Sequence, residues 1–191
     1  KNEFIILSCK EFPQGNAALQ GLCASLNERG QKAEFALWRE LNLSNLSENC
    51  VLLPLAVWDY SQHFDEFLRF LDEIERLNLS ILNPLPLLRW NLSKFYLKEL
   101  ENLGFDIIPS VFIKPNEPYE KHLQKWQNPI IKPLVGQSGN GVRRLSQKAI
   151  SKDERDKGFI IQKFIPEICD NGELCLVFFN GNFQYAITRK V

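Results

Sequence analysis

Two lysines, a glycine-spaced loop and a carboxylate set the chemical question. Lys94 follows Asn91-Leu92-Ser93, and Lys132 closes the apolar pair Ile130-Ile131 just ahead of Pro133. The loop Gly136-Gln137-Ser138-Gly139-Asn140-Gly141 comes next. Further on, Ile160-Ile161-Gln162-Lys163-Phe164-Ile165-Pro166 leads to Asn171-Gly172-Glu173. A loop this rich in glycine exposes backbone N–H groups and lets an anion approach them closely. A lysine at the end of the adjoining strand adds a full positive charge, and a second lysine from another element can close on the same anion. Such charge-assisted contacts are the strong ones. An apolar strand that runs to a proline presents backbone N–H and C=O to an adenine edge, and a carboxylate a few residues later accepts from both ribose hydroxyls. Together these groups would make a complete ATP site. Singly, each has a plainer reading: a turn, a solvated strand end at Lys132, an exposed helix lysine at Lys94, a lone hairpin charge at Glu173. The loop is not a Walker A sequence, because no Gly-Lys-Ser/Thr follows it.

The elements that must position these residues fall into two parts. Phe4–Leu7, Ala33–Leu37, Val51–Val57 and Leu79–Leu82 read as strands, the third carrying a proline that needs an edge or end position. A helix from Ala17 stops at Gly30. A second is set by Phe64, Phe67, Leu68, Leu71 and Ile74 at i, i+3, i+4, i+7 spacing, with Ser61 as its N-cap. Strand–helix alternation predicts a parallel sheet with helices on its faces, so residues 1–86 read as a Rossmann-like domain. It lacks GxGxxG, and architecture alone places no dinucleotide there. Pro84 and Pro86 mark the boundary to residues 87–191. In that part a helix spans Trp90–Leu103, Ile107–Ile113 is extended and Tyr119–Trp126 is helical. Strands follow at Ile130–Pro133, Val142–Leu145, Phe159–Phe164, Leu174–Phe179 and Phe183–Thr188. Asn180-Gly181 is a type I′ hairpin signal. The second part is an antiparallel-rich α+β unit.

The order of these motifs resembles the ATP-grasp domain of the glutathione synthetase-like ligases over residues 88–190. Leu88-Arg89-Trp90-Asn91-Leu92-Ser93-Lys94 is similar to the segment at that domain's entrance, and Leu103-Gly104 through Ile108-Pro109-Ser110 to the stretch that follows. Ile131-Lys132-Pro133 with Gly136–Gly141 resembles the Lys-Pro strand and mobile glycine loop. Gln162-Lys163-Phe164-Ile165 resembles the hinge. Val57-Trp58-Asp59-Tyr60 is similar to the bacterial branch that includes the O-ureido-serine cyclo-ligase. The resemblance implies that Lys94 and Lys132 bind ATP phosphates and that Gly136, Ser138, Gly139 and Gly141 form a lid. It implies that Gln162 with the backbone of Lys163 and Ile165 holds adenine, that Glu173 binds ribose, and that Arg189 reaches the γ-phosphate or an acyl phosphate. It implies ATP and Mg²⁺ as cofactors. In the family the Mg²⁺ ligands lie beyond this hairpin, so the chain is expected to be a piece of a protein of about 300 residues; no metal ligand is assigned within it. The implied reaction is ATP-dependent ligation of a carboxylate to an amine or similar nucleophile through an acyl phosphate, with small-molecule substrates. Two other readings stay open: a non-catalytic ATP-binding regulatory module with the same shell, and a plain α/β interaction domain.

Bulk composition narrows the classes further. Lys plus Arg and Asp plus Glu are each 23, so the formal charge is zero and no polyanion-binding surface is implied. No stretch approaches the roughly 18 apolar residues of a membrane span. No basic segment followed by a long apolar one opens the chain, and the cytoplasm is the expected compartment. Cys9, Cys23, Cys50, Cys169 and Cys175 are odd in number with no CxxC spacing, as buried free thiols are. The Asn-Leu-Ser sequons at Asn42, Asn45, Asn78 and Asn91 read as turn and cap chemistry. The absence of Met fits a chain lacking its native start. His63 and His122 have no partner at metal-ligand spacing. Trp58, Asp59 and Tyr60 follow a strand where an α/β sheet presents its binding edge, which allows a substrate role beside plain packing.

Overall fold

The structure, a computed structural model, describes residues 2–190. The chain divides into two compact units. One takes the chain as far as Glu99 together with Val135–Asn140; the other is Leu100–Leu134 with Gly141 onward.

In the first unit β1 (Glu3–Ser8), α1 (Ala17–Glu28), β2 (Lys32–Leu37), β3 (Cys50–Ala56), α2 (Phe64–Arg76) and β4 (Ser80–Ile81) succeed one another. The strands pair in parallel in the order β2-β1-β3-β4, as the alternation requires. Asn16 starts α1 by accepting from the Leu19 N–H at 3.1 Å. The apolar stripe of α2 buries Phe67, Leu71 and Ile74 against Ile5, Leu7 and Leu52 of the sheet. Each side chain so buried contributes about 1.5–3 kcal/mol. α2 begins at Phe64 behind His63, not behind Ser61. The intervening residues form a turn, with Gln62 and His63 donating to the carbonyls of Asp59 and Tyr60. Asp65 and Glu66 then supply the negative charge that suits a helix start. Pro54 lies in an interior strand, not an edge one. It is tolerated because β4 pairs only as far as Leu52 and the β1–β3 register shifts beyond Ile6.

The expected helix over Trp90–Leu103 is two short ones, α3 (Leu85–Asn91) and α4 (Tyr96–Asn102). Pro84 is the N-cap of α3 and Pro86 lies in its first turn, where a missing N–H costs nothing. The chain turns at Leu92–Phe95, and Lys94 sits in that turn rather than on a helix.

In the second unit β5 (Ser110–Ile113), β6 (Ile130–Pro133), β7 (Arg143–Arg144), α5 (Lys152–Lys157), β8 (Phe159–Gln162) and α6 (Pro166–Asn171) lead to β9 (Glu173–Phe179) and β10 (Asn182–Arg189). The sheet is β5-β8-β6-β7, antiparallel throughout, and β9-β10 form a separate antiparallel hairpin. Asn180 (φ 51) and Gly181 (φ 75) turn that hairpin with positive φ at both positions, as a type I′ turn demands. Ile113, Ile131, Phe159 and Ile161 form the core, covered by Tyr119, Leu123 and Trp126. Tyr119–Trp126 holds only a 3₁₀ turn at Glu120–His122, and Val142–Leu145 pairs only at Arg143–Arg144. The short helices α5 and α6 lie between the expected strands. Ser151 and Glu154 make a capping box on α5, and Pro166 opens α6.

Asn42 accepts from the Ser44 N–H at 3.1 Å, and Asn78 takes φ 51 behind α2, so cap and turn chemistry accounts for these two sequons. All five cysteines are free; Cys9 and Cys50 are buried, whereas Cys169 is exposed on α6.

Candidate functional site

The sheet of the second unit sorts its side chains by alternation. Ile131 points into the core with Phe159 and Ile161. Lys132 therefore faces the opposite side, beside its register partner Ile160 and near Gln162. Ile160 is fully buried there and Gln162 is 4% exposed, so the lysine stem lies on apolar ground. Burial pushes the Lys132 ammonium below its ordinary value of 10.5, with the charge of Glu173 opposing the shift. A half-desolvated cation of this kind favours an incoming anion strongly.

At the end of β8 the Lys163 N–H donates to the Pro109 carbonyl at 2.9 Å. Ile165 is the N-cap residue of α6, and its carbonyl accepts from Ile168 at 3.2 Å. The Lys163 N–H and the Ile165 C=O are thus engaged within the unit. The Lys163 C=O and the Ile165 N–H have no partner among the described residues. Gln162 donates its carboxamide N–H to Ser110 Oγ at 2.8 Å, which fixes the strand end. Phe164 lies under Arg144, whose guanidinium is 3.6 Å from the ring centroid. Glu173 and Arg189 are register partners on β9 and β10, and both are exposed. A Cβ on Gly172 would run into the Arg189 carbonyl, so only glycine lets the two strands close there.

The glycine loop is a type I′ turn: Ser138 (φ 52) and Gly139 (φ 73) are left-handed, and the Asn140 N–H donates to Gln137 O at 3.0 Å. The N–H groups of Ser138, Gly139 and Gly141 meet no acceptor among the described residues. Gly141 (φ 74) also packs so that a Cβ would sit 3.3 Å from the Pro133 ring. Lys94 donates to the Gly136 carbonyl at 2.6 Å and so ties the start of the loop to the turn after α3.

The first unit offers crevices outside the carboxyl ends of β1 and β3, where the strand order reverses and α/β sheets take ligands. One of about 400 Å³ is lined by Cys9, Phe12, Trp58, Asp59, Ser138 and Asn140. Asp59 is buried and accepts from Trp38 Nε1 at 2.7 Å, so it holds the core as well as lining the crevice. Trp58 packs edge-on against Phe12, with centroids 5.1 Å apart. A neighbouring cavity includes Gln137, a residue the sequence reading passed over because it took the loop for its backbone alone. Among the described residues no cluster of three or more His, Cys, Asp or Glu is placed to hold a metal ion, and no helix is long and apolar enough to cross a membrane.

A parallel α/β unit followed in the chain by a unit with an antiparallel sheet is the fold of solved ATP-grasp proteins. A solved ATP-grasp protein with a RimK domain from Sphaerobacter thermophilus matches with a TM-score of 0.60 and 13% identity, over 85% of this chain and 64% of that one. More particularly, the structure is similar to that of D-cycloserine synthetase DcsG, with a TM-score of 0.86 and 22% identity over 99% of this chain and 68% of that one. The family model for the N-terminal domain of D-cycloserine synthetase DcsG matches residues 4–83. The cycloserine biosynthesis protein DcsG of Streptomyces lavendulae is 24% identical over 147 residues, 69% of this chain and 49% of that protein. The chain thus spans about half the length of that curated relative.

Proposed function

We propose that this chain is the nucleotide-binding part of an ATP-dependent ligase that joins a carboxylate to an amine or similar nucleophile through an acyl phosphate. The observation that carries the reading is Lys132, a half-buried ammonium on the sheet face opposite Ile131, one strand away from a Lys163 C=O and Ile165 N–H pair with no partner among the described residues. In this reading adenine donates its amino group to the Lys163 carbonyl and accepts from the Ile165 N–H, while the ring lies over the buried face of β8. Glu173 takes the ribose hydroxyls. Lys132 and the Gly141 N–H bind the phosphates, and Arg189 meets the transferred group. The ligand is the magnesium complex of ATP; the described residues supply no set of ligands for the ion, so they are assigned only the nucleotide. The protein's part in catalysis is positioning and charge stabilisation of the phosphoryl group. The similarity to DcsG supports the fold. Photo-cross-linking with 8-azido-ATP tests the placement. Label in residues 160–166, protected by ATP and not by GTP, is expected; label confined elsewhere overturns it.

A further inference from the structure

The cavity that includes Gln137 is not accounted for by nucleotide binding. It has a volume of about 420 Å³, within the range of small-molecule sites, and no charged side chain lines it. Aromatic rings make its walls: Trp58, Tyr60, Trp90 and Tyr96. Trp90 and Tyr96 lie 5.0 Å apart, and the indole N–H of Trp90 is already donated to Glu99 at 2.5 Å, which leaves its face to the cavity. Burial, then the neighbouring Tyr96, pushes the Tyr60 phenol up, so that ring stays neutral. Against these walls stands one anomaly. The Nε2 of Gln137 is shut off from solvent and has no hydrogen-bond partner. A buried donor without an acceptor is costly, and natural structures contain few. The Lys94–Gly136 hydrogen bond holds the loop one residue before it, so the carboxamide is not simply on a free segment.

We infer that this cavity binds an uncharged aromatic group bearing a hydrogen-bond acceptor, with the Gln137 carboxamide donating to that acceptor and the ring packed among Trp58, Tyr60, Trp90 and Tyr96. The inference rests on the ligase reading only in taking this group as part of the non-nucleotide substrate, whose side group the cavity selects. Charged side groups are disfavoured because no opposite charge in the wall compensates their desolvation.

The test is saturation-transfer NMR and titration on the 191-residue chain without nucleotide. The probes are N-acetyl-phenylalaninamide, N-acetyl-glutamate and toluene. Binding of the first and third but not the second is expected. Gln137→Leu weakens N-acetyl-phenylalaninamide roughly tenfold, the usual worth of one buried hydrogen bond, and leaves toluene unchanged. Leu88→Trp, which fills the cavity, abolishes both. Equal binding of the charged probe, no binding of any probe, or indifference of the amide probe to Gln137→Leu overturns the inference; the Gln137 result decides should Leu88→Trp fail to fold. ATP binding is followed separately by thermal melting. ATP binding without probe binding refutes the cavity alone, and probe binding without ATP binding refutes the ligase reading alone.

Discussion

Removing the charge of Lys132 should separate stability from binding. Lys132→Met keeps the methylene stem on the buried face beside Ile160 and deletes only the ammonium. Burial holds the ammonium's folded value below 10.5, so its protonated form opposes folding. The sign follows from linkage: the unfolded chain binds the proton more tightly, so stability rises with pH between the depressed folded value and the ordinary lysine value. Lys132→Met should therefore melt at the wild-type temperature or above it near neutral pH, and should lack that alkaline rise. Nucleotide binding should respond in the opposite way. One charge-assisted contact to a phosphate is worth about 1.5–3 kcal/mol, or roughly 10- to 150-fold in affinity. Wild-type affinity for ATP should also fall with rising pH before that of an ordinary lysine site, because the ligand must hold the proton on Lys132. Calorimetric titration with ATP and chemical denaturation across a pH series measure both. A variant that is markedly less stable and still binds ATP at wild-type affinity would refute the role given to this side chain.

Other outcomes follow from local geometry. Gly172→Ala places a Cβ against the Arg189 carbonyl at φ 80, and a loss of about 1–3 kcal/mol is expected in urea denaturation. Asp59→Ala leaves the buried Trp38 indole N–H without its acceptor, at a cost of about 1–3 kcal/mol with a change in tryptophan emission, whereas Asp59→Asn keeps most of the stability. Glu154 feels burial, which raises its value, but hydrogen bonds from Ser151 and Arg143 outweigh it and hold the carboxyl below 4.5. Its stabilisation is present above the unfolded value and is lost as pH falls through the folded one. Glu154→Gln should therefore cost about 1 kcal/mol at neutral pH, with the gap to wild type closing in acid denaturation series.

Much of the fold was legible because periodicity was strong. Phe67, Leu71 and Ile74 announce α2, and Asn180-Gly181 announces the hairpin. The misreadings were local. The proline pair begins a helix, because the N-cap and first-turn positions do not use those N–H groups. The break at Leu92–Phe95 interrupts a pattern that looks continuous, and it takes Lys94 off the helix and onto Gly136. The capping box Ser151–Glu154 was written in the sequence but lies in a charged segment without apolar periodicity. At the candidate site the types were legible and the occupancy was not. Sequence cannot say that the Lys163 N–H is taken by Pro109, since that bond joins residues far apart in the chain. Gln137 carried no signal at all, because its interest lies in a missing partner.

The central claim is that the Lys163 carbonyl and the Ile165 N–H read adenine above a phosphate-binding Lys132. The most direct measurement is calorimetric titration of the chain with Mg·ATP and Mg·GTP. Guanine presents a carbonyl where adenine has its amino group, and an N–H where adenine has its N1 acceptor, so both contacts turn repulsive. Measurable binding of ATP, with GTP at least roughly tenfold weaker, is the predicted result. Equal binding of the two nucleotides, or none of ATP, would contradict the account.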